Sequence, residues 1–299
     1  MKTGFVGIIG RPNVGKSTLL NAILGEKIAI TTEKPQTTRN AIRGIYTHYS
    51  DDELPEDLQM IFIDTPGIHR PRTKLGSYMT DAAIGTLKEV DAIIFIVDDK
   101  LSDGPGDKYI VDLLDDVVTP KILVINKIDK MQPDEFAEIY KEYEDLGLFE
   151  EIIGVSAKEG THVENVIKEV AQFMEEGPMY FPDDMITEHP ERFVVSEIIR
   201  EKILMYLQDE VPHGVAVEIE QYKEEEKITK IHAVIYCEKK SHKGMIIGKG
   251  GRKLKGIGKS AREEIEVLLG IKVYLELWVK VKENWRDSDV ALSNFGYKE

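Results

Sequence analysis

The stretch "GRPNVGKS", from Gly10 to Ser17, constrains the fold of this chain more than any other feature. It matches the pattern G-x-x-x-x-G-K-[ST], follows the apolar run "FVGIIG" and precedes "STLLNAIL", which has helical spacing. A loop between a buried strand and a helix is the context in which this pattern binds phosphate. Gly10 and Gly15 leave room for phosphate close to the backbone, and N–H groups at the helix N-terminus attract the anion. The motif therefore predicts an α/β domain with a phosphate-binding loop.

Two polar side chains of this loop have defined roles in such motifs. Lys16 reaches the β- and γ-phosphates of a nucleoside triphosphate, and the Ser17 hydroxyl is placed to ligate Mg²⁺. We expect neighbouring residues and one glycine of a later motif to complete the phosphate site. The predicted phosphate-binding residues are Gly10, Asn13, Val14, Gly15, Lys16, Ser17, Thr18 and Gly67.

Short apolar runs alternate with longer amphipathic segments in the first half of the chain. Continuous apolar strands of this length are typical of a parallel sheet buried on both faces, and the helical spacing between them indicates βαβ units. The runs are "FVGIIG", "MIFID", "AIIFIVD", "KILVIN" and "EIIGVSA". "AIRGIYTHY", from Ala41 to Tyr49, predicts an edge strand because it mixes polar and apolar residues, and "SDDELPED" predicts a hairpin loop after it. The pattern predicts a doubly wound, mostly parallel α/β sheet.

The alternation stops near Met174, where a proline-rich acidic stretch begins. Because "EEGPMYFPDDMITEHPER" has no period, we interpret residues 177–190 as a linker. The next segments predict a helix over about 191–208, the strands "GVAVEIEQY" and "KITKIHAVIYCE", a glycine-rich basic stretch, a long helix and the alternating strand "IKVYLELWVKV". The prediction is an α/β domain over 1–176 and a smaller α+β domain with a C-terminal tail over 191–299.

The single cysteine, Cys237, excludes an intrachain disulfide. Beside apolar residues it is predicted to be a small core residue in a protein of a reducing compartment. The N-terminal "MKTGFVGIIG" lacks the apolar core and cleavage site of a signal peptide, and no apolar run approaches the roughly 18 residues of a membrane span. We therefore expect a cytoplasmic protein, a location compatible with surface attachment to a membrane.

Basic residues are concentrated in one segment of an acidic chain. The formal net charge is −15, which alone argues against nucleic-acid binding. Between Lys239 and Arg262, however, nine of 24 residues are Lys or Arg and none is Asp or Glu. Such a segment in an acidic protein indicates a surface that binds an anion.

Three further motifs follow predicted strands and specify the nucleotide. "DTPG" can hold Mg²⁺ through Asp64 and sense the γ-phosphate through the N–H of Gly67. "NKID" ends in Asp129, whose carboxylate can accept hydrogen bonds from N1–H and the exocyclic amine of guanine, which adenine does not offer. "SAK" offers backbone N–H groups to the guanine O6. Because the C-terminal ends of parallel strands lie at one edge of a sheet, the motifs together predict a guanine-nucleotide site.

With these motifs, residues 1–174 resemble the TRAFAC class of GTPases, which includes Ras-like and Era-like proteins. The resemblance implies GTP and GDP as ligands, Mg²⁺ as cofactor, and a switch I threonine that closes onto the metal. Thr37 and Thr38 of "PQTTRN" are both candidates, and Thr38, directly before Arg39, aligns better. The implied Mg²⁺ ligands are Ser17, Thr38 and Asp64. The implied switch II residues are Asp64, Thr65, Pro66, Gly67 and Ile68. The implied guanine-binding residues are Asn126, Lys127 (which packs on the base), Asp129, Ser156, Ala157 and Lys158.

One position departs from the Ras-like pattern. In Ras-like proteins a glutamine after the DxxG glycine orients the attacking water, whereas here that residue is Ile68, which cannot form a hydrogen bond. His69 or another group could substitute; we favour a resemblance to GTPases with an apolar residue at this position. Some of those have an asparagine corresponding to Asn13, which helps to hold K⁺ over the phosphates. The resemblance thus implies slow intrinsic hydrolysis that K⁺ or a partner accelerates.

A second glycine-rich stretch, "IIGKGGRKLKGIGKS" from Ile246 to Ser260, also ends in Gly-Lys-Ser. It is not a second phosphate-binding loop, because the first glycine of that motif would fall at Lys253. "GIGKSA" formally fits a dinucleotide fingerprint but follows no predicted strand. Helical spacing of apolar residues instead places this Gly-Lys-Ser inside an amphipathic helix, where close approach of a neighbour would explain Gly256 and Gly258. The predicted buried face comprises Leu254, Ile257, Ala261, Ile265 and Leu268.

The "GKGG" of this stretch lies in the order helix–strand–strand–helix–loop–helix–strand. That order resembles a type II KH domain, whose loop clamps about four nucleotides of single-stranded nucleic acid. Basic side chains and the N-terminus of the following helix favour phosphate, and we expect the bases to lie on apolar surface beside the loop. The predicted RNA-binding residues are Gly248, Lys249, Gly250, Gly251, Arg252, Lys253 and Lys255.

A GTPase domain followed by a KH domain resembles the Era family. Matching segments span the chain, namely "GRPNVGKSTLLNAILG", "QTTR", "DTPGIH", "NKID", "GKGGR" and "WVKVKENWR". The resemblance implies a monomeric, cytoplasmic protein that binds the 3′ end of 16S ribosomal RNA, acts in assembly of the small (30S) ribosomal subunit and contacts the inner membrane peripherally. GTP would order Thr38 and Gly67, and hydrolysis would release the RNA.

Two alternatives remain open at the level of sequence. A metabolic P-loop kinase would share "GRPNVGKS", but "DTPG" and "NKID" disfavour it. An RNA-binding scaffold with a structural nucleotide and no coupled hydrolysis would share every motif, although Lys16, Ser17 and Asp64 favour hydrolysis.

Overall fold

The computed structural model describes residues 1–32, 34, 37–52, 54–69, 71, 73–101, 105–207 and 214–297. The chain divides into two compact units. The first unit comprises Met1–Ala29, Thr38–Pro71 and Met79–Glu188, and the second unit comprises Ile30–Thr37, Arg72–Tyr78 and His189–Glu299. Among the described residues, no helix is both long enough and apolar enough to cross a membrane.

The first unit is built on a mostly parallel sheet. Its strands are β1 (Lys2–Ile9), β2 (Ile42–His48), β3 (Leu58–Asp64), β4 (Ala92–Val97), β5 (Lys121–Ile125), β6 (Glu151–Gly154) and β7 (Glu175–Glu176). Within the described residues they follow the order β2-β3-β1-β4-β5-β6, and β7 pairs with β1. β2 lies at one edge, antiparallel to β3, and β7 is antiparallel to β1, while the other pairs are parallel. The predicted α/β sheet and its edge strand are confirmed.

Helices cover both faces of this sheet. They are α1 (Lys16–Leu24), α2 (Lys74–Thr86), α3 (Pro105–Asp115), α4 (Pro133–Glu144) and α5 (Val163–Ala171), and of α2 only the residues from Met79 onward belong to the first unit. Successive side chains of β1 enter different apolar clusters, since Ile8 lies with residues of α1 and α5 and Ile9 with residues of α3 and α4. This burial on both faces explains why the strands read as continuous apolar runs. The motifs "GRPNVGKS", "DTPG" and "NKID" lie at the C-terminal ends of β1, β3 and β5.

Residues 177–188 differ from the predicted linker because they fold onto the first unit. Gln59 is fully buried, and its Oε1 accepts hydrogen bonds from the N–H groups of Tyr180 (2.7 Å) and Phe181 (2.9 Å). A buried amide needs such partners, which fixes this part of the chain. The boundary between the units falls after residue 188, and the second unit also takes in residues 30–37 and 72–78, which the prediction of two contiguous domains did not anticipate.

The second unit contains the predicted α+β elements in the predicted order. They are α6 (Glu191–Tyr206), β8 (Ala216–Glu225), β9 (Ile228–Cys237), α7 (Lys240–Ile247), α8 (Arg252–Leu269), β10 (Lys272–Val281) and the short α9 (Asp289–Asn294). The strands follow the order β10-β9-β8, with β9 parallel to β10 and antiparallel to β8. Gln208, the predicted end of α6, lies outside the described residues. Cys237 is buried, as predicted.

The buried face of α8 differs from the prediction at its last position. Ile257, Ala261 and Ile265 are buried, but Leu268 has 42% of its surface exposed. Leu269 packs against the core instead. Since a helical turn takes 3.6 residues, positions three and four after Ile265 both lie near its face, and here the partly buried fourth residue makes the core contact. The prediction of Leu268 was wrong.

Close approach of a neighbour accounts for one of the two glycines inside α8. A Cβ added to Gly256 would lie 2.8 Å from Cε1 of Tyr206, which is closer than a methyl group and a ring can approach. At Gly258 the nearest atom, Cδ1 of Leu277, would lie 3.4 Å away, an ordinary contact. The explanation predicted for both glycines therefore holds at Gly256 alone.

Candidate nucleotide and RNA sites

The phosphate-binding loop has a backbone that depends on its glycines. Gly10 has φ 154° and Gly15 has φ 108°. Their hypothetical Cβ atoms would lie 2.4 Å from the carbonyl oxygen of Ile96 and 2.1 Å from Nδ2 of Asn126. α1 begins directly after this loop, at Lys16. The loop is therefore narrow, with the N-terminus of a helix at its end, as an anion site requires.

Lys16 is a buried cation directed back onto the loop. Its ammonium group donates to the carbonyl oxygens of Gly10 (3.3 Å) and Arg11 (2.8 Å). Burial lowers the pKa of Lys16 to about 8, although the carboxylate of Asp64 opposes that change. A cation held at this desolvation cost is stabilised by an anionic ligand such as phosphate. Val14 is buried, and Thr18 lies in the first turn of α1.

The three predicted Mg²⁺ ligands lie together. The Ser17 hydroxyl donates to Oδ2 of Asp64 at 2.6 Å and lies 2.8 Å from the Thr38 hydroxyl. Thr38 also donates to Oδ2 of Asp64, at 3.3 Å. The Thr37 hydroxyl instead donates to the carbonyl oxygen of Lys34 at 2.6 Å. Of the two candidate threonines, only Thr38 therefore has its hydroxyl beside Ser17 and Asp64.

These residues fit a magnesium ion chemically. Asp64 is fully buried, and in the described part of the chain its Oδ1 has no hydrogen-bond partner. Burial raises the pKa of Asp64 to about 6, and the nearby Lys16 charge opposes the rise. A buried carboxylate oxygen without a partner requires explanation, and two hydroxyls with a carboxylate are the oxygen donors that Mg²⁺ prefers.

Asn126 and Asp129, which are predicted to read the guanine base, each contact a second predicted site motif. The buried Asn126 donates from Nδ2 to the carbonyl oxygen of Val14 (2.8 Å), and its Oδ1 accepts from the N–H of Ala157 (3.0 Å). Ser156 donates to Oδ1 of Asp129 at 2.6 Å, which lowers the pKa of Asp129. Asn126 thus connects the phosphate-binding loop with "SAK", and the Asp129 carboxylate stays anionic and able to accept hydrogen bonds.

The two lysines of the predicted base site differ in their contacts. The ammonium group of Lys127 donates to the carbonyl oxygen of Asn13 (2.9 Å) and to Asp98 (2.5 Å), so its side chain lies across the phosphate-binding loop. Lys158 is exposed, and its ammonium group lies 3.2 Å from Glu159. The structure therefore brings Lys127 into the site through side-chain contacts and leaves Lys158 in solvent.

Switch II is close to the phosphate-binding loop. A Cβ on Gly67 would lie 2.6 Å from the backbone nitrogen of Pro12, and the N–H of Ile68 donates to the carbonyl oxygen of Gly10 at 3.1 Å. The Ile68 side chain is buried in the apolar core. The imidazole Nδ1 of His69 lies 3.0 Å from the carbonyl oxygen of Gly67. Thr65 and Pro66 are also buried. Ile68 thus acts as a packing residue and offers no group to orient water.

The "GKGG" loop of the second unit has a left-handed backbone at three of its four residues. The φ angles are 72° at Gly248, 60° at Gly250 and 75° at Gly251, a region in which glycine is strongly favoured. Lys249 projects into solvent from this loop, and α8 begins directly after the loop, at Arg252. Lys255 is exposed as well, and Lys253 is half-buried. The loop thus presents basic side chains at the N-terminus of an 18-residue helix, where an anion is favoured.

Apolar side chains lie on the elements beside this loop. Met245 of α7 has 51% of its surface exposed. Four further apolar residues on α7, α8 and β10 are partly buried and pack against the core of the second unit. They are Ile247, Leu254, Leu275 and Leu277. Such side chains can contact the faces of unstacked bases.

Two family models match the chain. One, described as a 50S ribosome-binding GTPase, matches residues 5–127, and the other, described as a KH domain, matches residues 210–286. The GTPase Era of Alkaliphilus oremlandii is 61% identical over 298 residues, which cover 99% of each chain. The chain belongs to the Era family of GTPases. It is therefore a GTP hydrolase with an α/β P-loop GTPase domain and a C-terminal KH domain, as the sequence predicted.

Solved structures of Era match along the whole chain. A crystal structure of Era in complex with MgGDPNP and nucleotides 1506–1542 of 16S ribosomal RNA has a TM-score of 0.93 and 39% identity, covering 100% of both chains. A single-residue variant of Aquifex aeolicus Era, bound to GDP·AlF₄⁻, has a TM-score of 0.92 at 39% identity, with the same coverage. The alternative of a metabolic kinase is therefore excluded.

Sequence reasoning missed three charged residues beside the Era-family nucleotide site. Arg11, Asp98 and Asp107 form ion pairs with one another or with Lys127. Asp98 ends the run "AIIFIVD", so a signal was available, because polar residues that follow buried parallel strands lie at the ligand-binding edge of the sheet. Asp107 lies within α3 and does not directly follow a strand, so no such signal marked it in the sequence.

Proposed function

We propose that this GTPase uses GTP hydrolysis as a switch that controls its binding of single-stranded ribosomal RNA. The RNA would be the 3′ end of 16S ribosomal RNA, and the role would be in assembly of the 30S subunit. The observation that carries the proposal is the presence, in one chain, of the Ser17–Thr38–Asp64 cluster and the basic "GKGG" loop. The Era of the first matched structure binds MgGDPNP and nucleotides 1506–1542 of 16S ribosomal RNA, which supports the same pair of ligands here.

On the nucleotide side, the proposed roles follow from the contacts of each residue. Lys16 and the N–H of Gly67 would bind the terminal phosphates, and Ser17, Thr38 and Asp64 would hold Mg²⁺. The metal would neutralise charge that develops on the phosphate oxygens. Because Ile68 is buried and apolar, no side chain at its position orients water, so we propose slow intrinsic hydrolysis.

We propose that K⁺ or the RNA accelerates this reaction. Asn13 has φ 69°, and its carbonyl oxygen accepts from Lys127, so this residue of the phosphate-binding loop is held in a specific conformation. A cation there would add the positive charge that other GTPases obtain from an arginine. The proposed cation site rests on the family resemblance of Asn13.

On the RNA side, Lys249, Arg252 and Lys255 would pair with phosphates while the apolar side chains beside the loop contact bases. The clamp of a KH loop holds about four nucleotides. We propose that affinity comes mainly from the phosphates and that the apolar surface restricts which bases fit. This division predicts salt-dependent binding.

The chain segments that form the second unit support coupling between nucleotide binding and RNA binding. Residues 30–37 belong to this unit, where the buried Arg200 donates to the carbonyl oxygen of Thr37 and Glu201 accepts from the N–H of Thr31 at 2.9 Å. Thr37 is bonded to Thr38, the proposed Mg²⁺ ligand. A movement of Thr38 toward Mg²⁺ would therefore act on a peptide group that α6 holds. Arg200 lies in the same unit as the "GKGG" loop, so we propose it as the residue that transmits the nucleotide state.

A monomeric state, a cytoplasmic location and a peripheral contact with the inner membrane are also part of the proposal. Their support is the resemblance to the Era family. Each can be examined by sedimentation of the purified protein and by fractionation of cells that produce it.

A single-turnover GTP hydrolysis assay tests the proposed function. We expect slow turnover in Na⁺ that accelerates with K⁺ or with a short RNA of the 16S 3′-end sequence, and no turnover in Lys16→Ala. Fast turnover without K⁺ or RNA would contradict the proposed activation. Stable GTP binding without hydrolysis under any of these conditions would favour the scaffold with a structural nucleotide.

A further inference from the structure

A chain of charged side chains connects the phosphate-binding loop with "NKID". Lys127 lies 2.5 Å from Oδ2 of Asp98, and Oδ1 of Asp98 accepts from Nη2 of Arg11 at 3.2 Å. Arg11 belongs to the phosphate-binding loop, and Lys127 belongs to the proposed base site. Asp98, directly after β4, therefore contacts one side chain from each half of the nucleotide site.

Arg11 is fixed from its other side by α3. Its Nε lies 2.7 Å from Oδ2 of Asp107, which is fully buried. Burial raises the pKa of Asp107, and the Arg11 charge opposes the rise. A Cβ on Gly106 would lie 2.6 Å from Cδ of Arg11, so a glycine leaves room for the arginine side chain. Because a buried carboxylate is costly without its cation, this pair holds Arg11 in place beside Asp98.

Asp98 determines where the Lys127 ammonium group lies. Two acceptors hold that group, the Asp98 carboxylate and the carbonyl oxygen of Asn13. Without the carboxylate, the ammonium group of Lys127 would keep the carbonyl oxygen of Asn13 as a neutral acceptor. The side chain would then leave its position across the loop more readily, because a released lysine gains rotamer entropy. The charge-assisted contact is the stronger of the two kinds of hydrogen bond.

We propose that Asp98 is a positioning residue for guanine nucleotides. It holds Lys127 across the phosphate-binding loop so that the alkyl part of this lysine can pack on the base, and it ties that orientation to Arg11. Because its two partners lie on the loop and the base motif and not in a switch segment, Asp98 contributes to GDP and GTP binding to the same extent. The inference rests on the nucleotide site proposed above.

The test compares Asp98→Asn with Asp99→Asn. Asp99 is the adjacent, exposed carboxylate, and it contacts the N–H of Lys100. Dissociation of a fluorescent N-methylanthraniloyl-GDP and of the corresponding non-hydrolysable GTP analogue is measured for both variants. We expect Asp98→Asn to weaken both nucleotides about tenfold, as for the loss of one charge-assisted hydrogen bond. Asp99→Asn should stay within about twofold of the wild type.

A second background separates positioning from a general effect on the fold. In Lys127→Met, the further change Asp98→Asn should alter nucleotide dissociation less than about twofold, because its target is already absent. A full tenfold effect in that background, or equal behaviour of Asp98→Asn and Asp99→Asn, would overturn the inference.

Arg11→Gln provides the measurement if Asp98→Asn does not fold. It should accelerate GDP dissociation several-fold in the wild type and not in Lys127→Met, and no change in the wild type would overturn the inference. Failure of the wild-type protein to bind GDP would instead overturn the proposed function, and the inference with it.

Discussion

Asn126 should stabilise the nucleotide-free protein, in addition to any contact with guanine. Its buried side chain joins two loops, since Nδ2 donates to the carbonyl oxygen of Val14 and Oδ1 accepts from the N–H of Ala157. Both backbone partners are buried residues. Asn126→Ala removes both hydrogen bonds at once and leaves one carbonyl oxygen and one N–H group without a partner.

The expected loss of stability follows from these two groups. A buried donor or acceptor that loses its partner costs about 1–3 kcal/mol. A value of about 1.5 kcal/mol for each group, in the lower part of this range, gives a decrease of about 3 kcal/mol in the free energy of unfolding. In a domain of about 150–250 residues this corresponds to a fall of roughly 6–12 °C in Tm.

Differential scanning calorimetry of the nucleotide-free protein measures this fall. Asn165→Ala is the matched control, because Asn165 is an exposed asparagine on α5, and it should change Tm by less than about 2 °C. If Asn126→Ala lowers Tm no more than Asn165→Ala does but nevertheless loses affinity for GDP, Asn126 acts by contact with the base alone. That result would refute a stabilising role of Asn126 in the nucleotide-free protein.

Three further predictions concern the ligands. Thr38→Ala should slow single-turnover GTP hydrolysis about 100-fold, whereas Thr37→Ala should slow it less than about threefold; equal effects would remove the assignment of Thr38 to Mg²⁺. Asp129→Asn should shift nucleotide preference from guanine toward xanthine in competition binding, because the amide offers a donor that xanthine O2 accepts, and an unchanged preference would contradict the role of Asp129. Lys249→Ala should weaken binding of single-stranded RNA and reduce the slope of log affinity against log salt by about 0.7, as for the loss of one phosphate contact. Lys223→Ala serves as the control, because Lys223 is an exposed lysine paired with Glu225, and this change should leave the slope unchanged.

The sequence predicted the parts of the fold that local patterns determine. The apolar runs and the glycines of "GRPNVGKS" require a strand, a tight loop and a helix in succession, so β1 and α1 could be placed from residues alone. In the second unit, the alternating apolar residues of β10 and the helical spacing in α8 likewise allowed these two elements to be placed from the sequence. Leu268 was misplaced because a repeat of 3.6 residues does not decide between two adjacent positions.

Features that depend on long-range contacts could not be predicted in this way. The two-residue strand β7 exists because it pairs with β1, and a Glu-Glu pair has no strand pattern of its own. Residues 30–37 belong to the second unit through contacts with α6, far away in sequence. The different positions of the Thr37 and Thr38 hydroxyls also required the three-dimensional structure, since the two threonines differ only in which acceptors their hydroxyls reach.

The affinity for RNA in two nucleotide states tests the proposed GTP-controlled RNA clamp most directly. Fluorescence anisotropy of a short RNA with the 16S 3′-end sequence is measured with saturating GDP and with a non-hydrolysable GTP analogue. We expect binding about tenfold tighter with the analogue, within the usual range of coupling between two sites. Arg200→Lys should reduce this ratio below about threefold, because lysine keeps the charge beside Glu197 but lacks the fork that also reaches Thr37. Equal affinity in the two nucleotide states of the wild-type protein would contradict the proposal of a GTP-controlled RNA clamp.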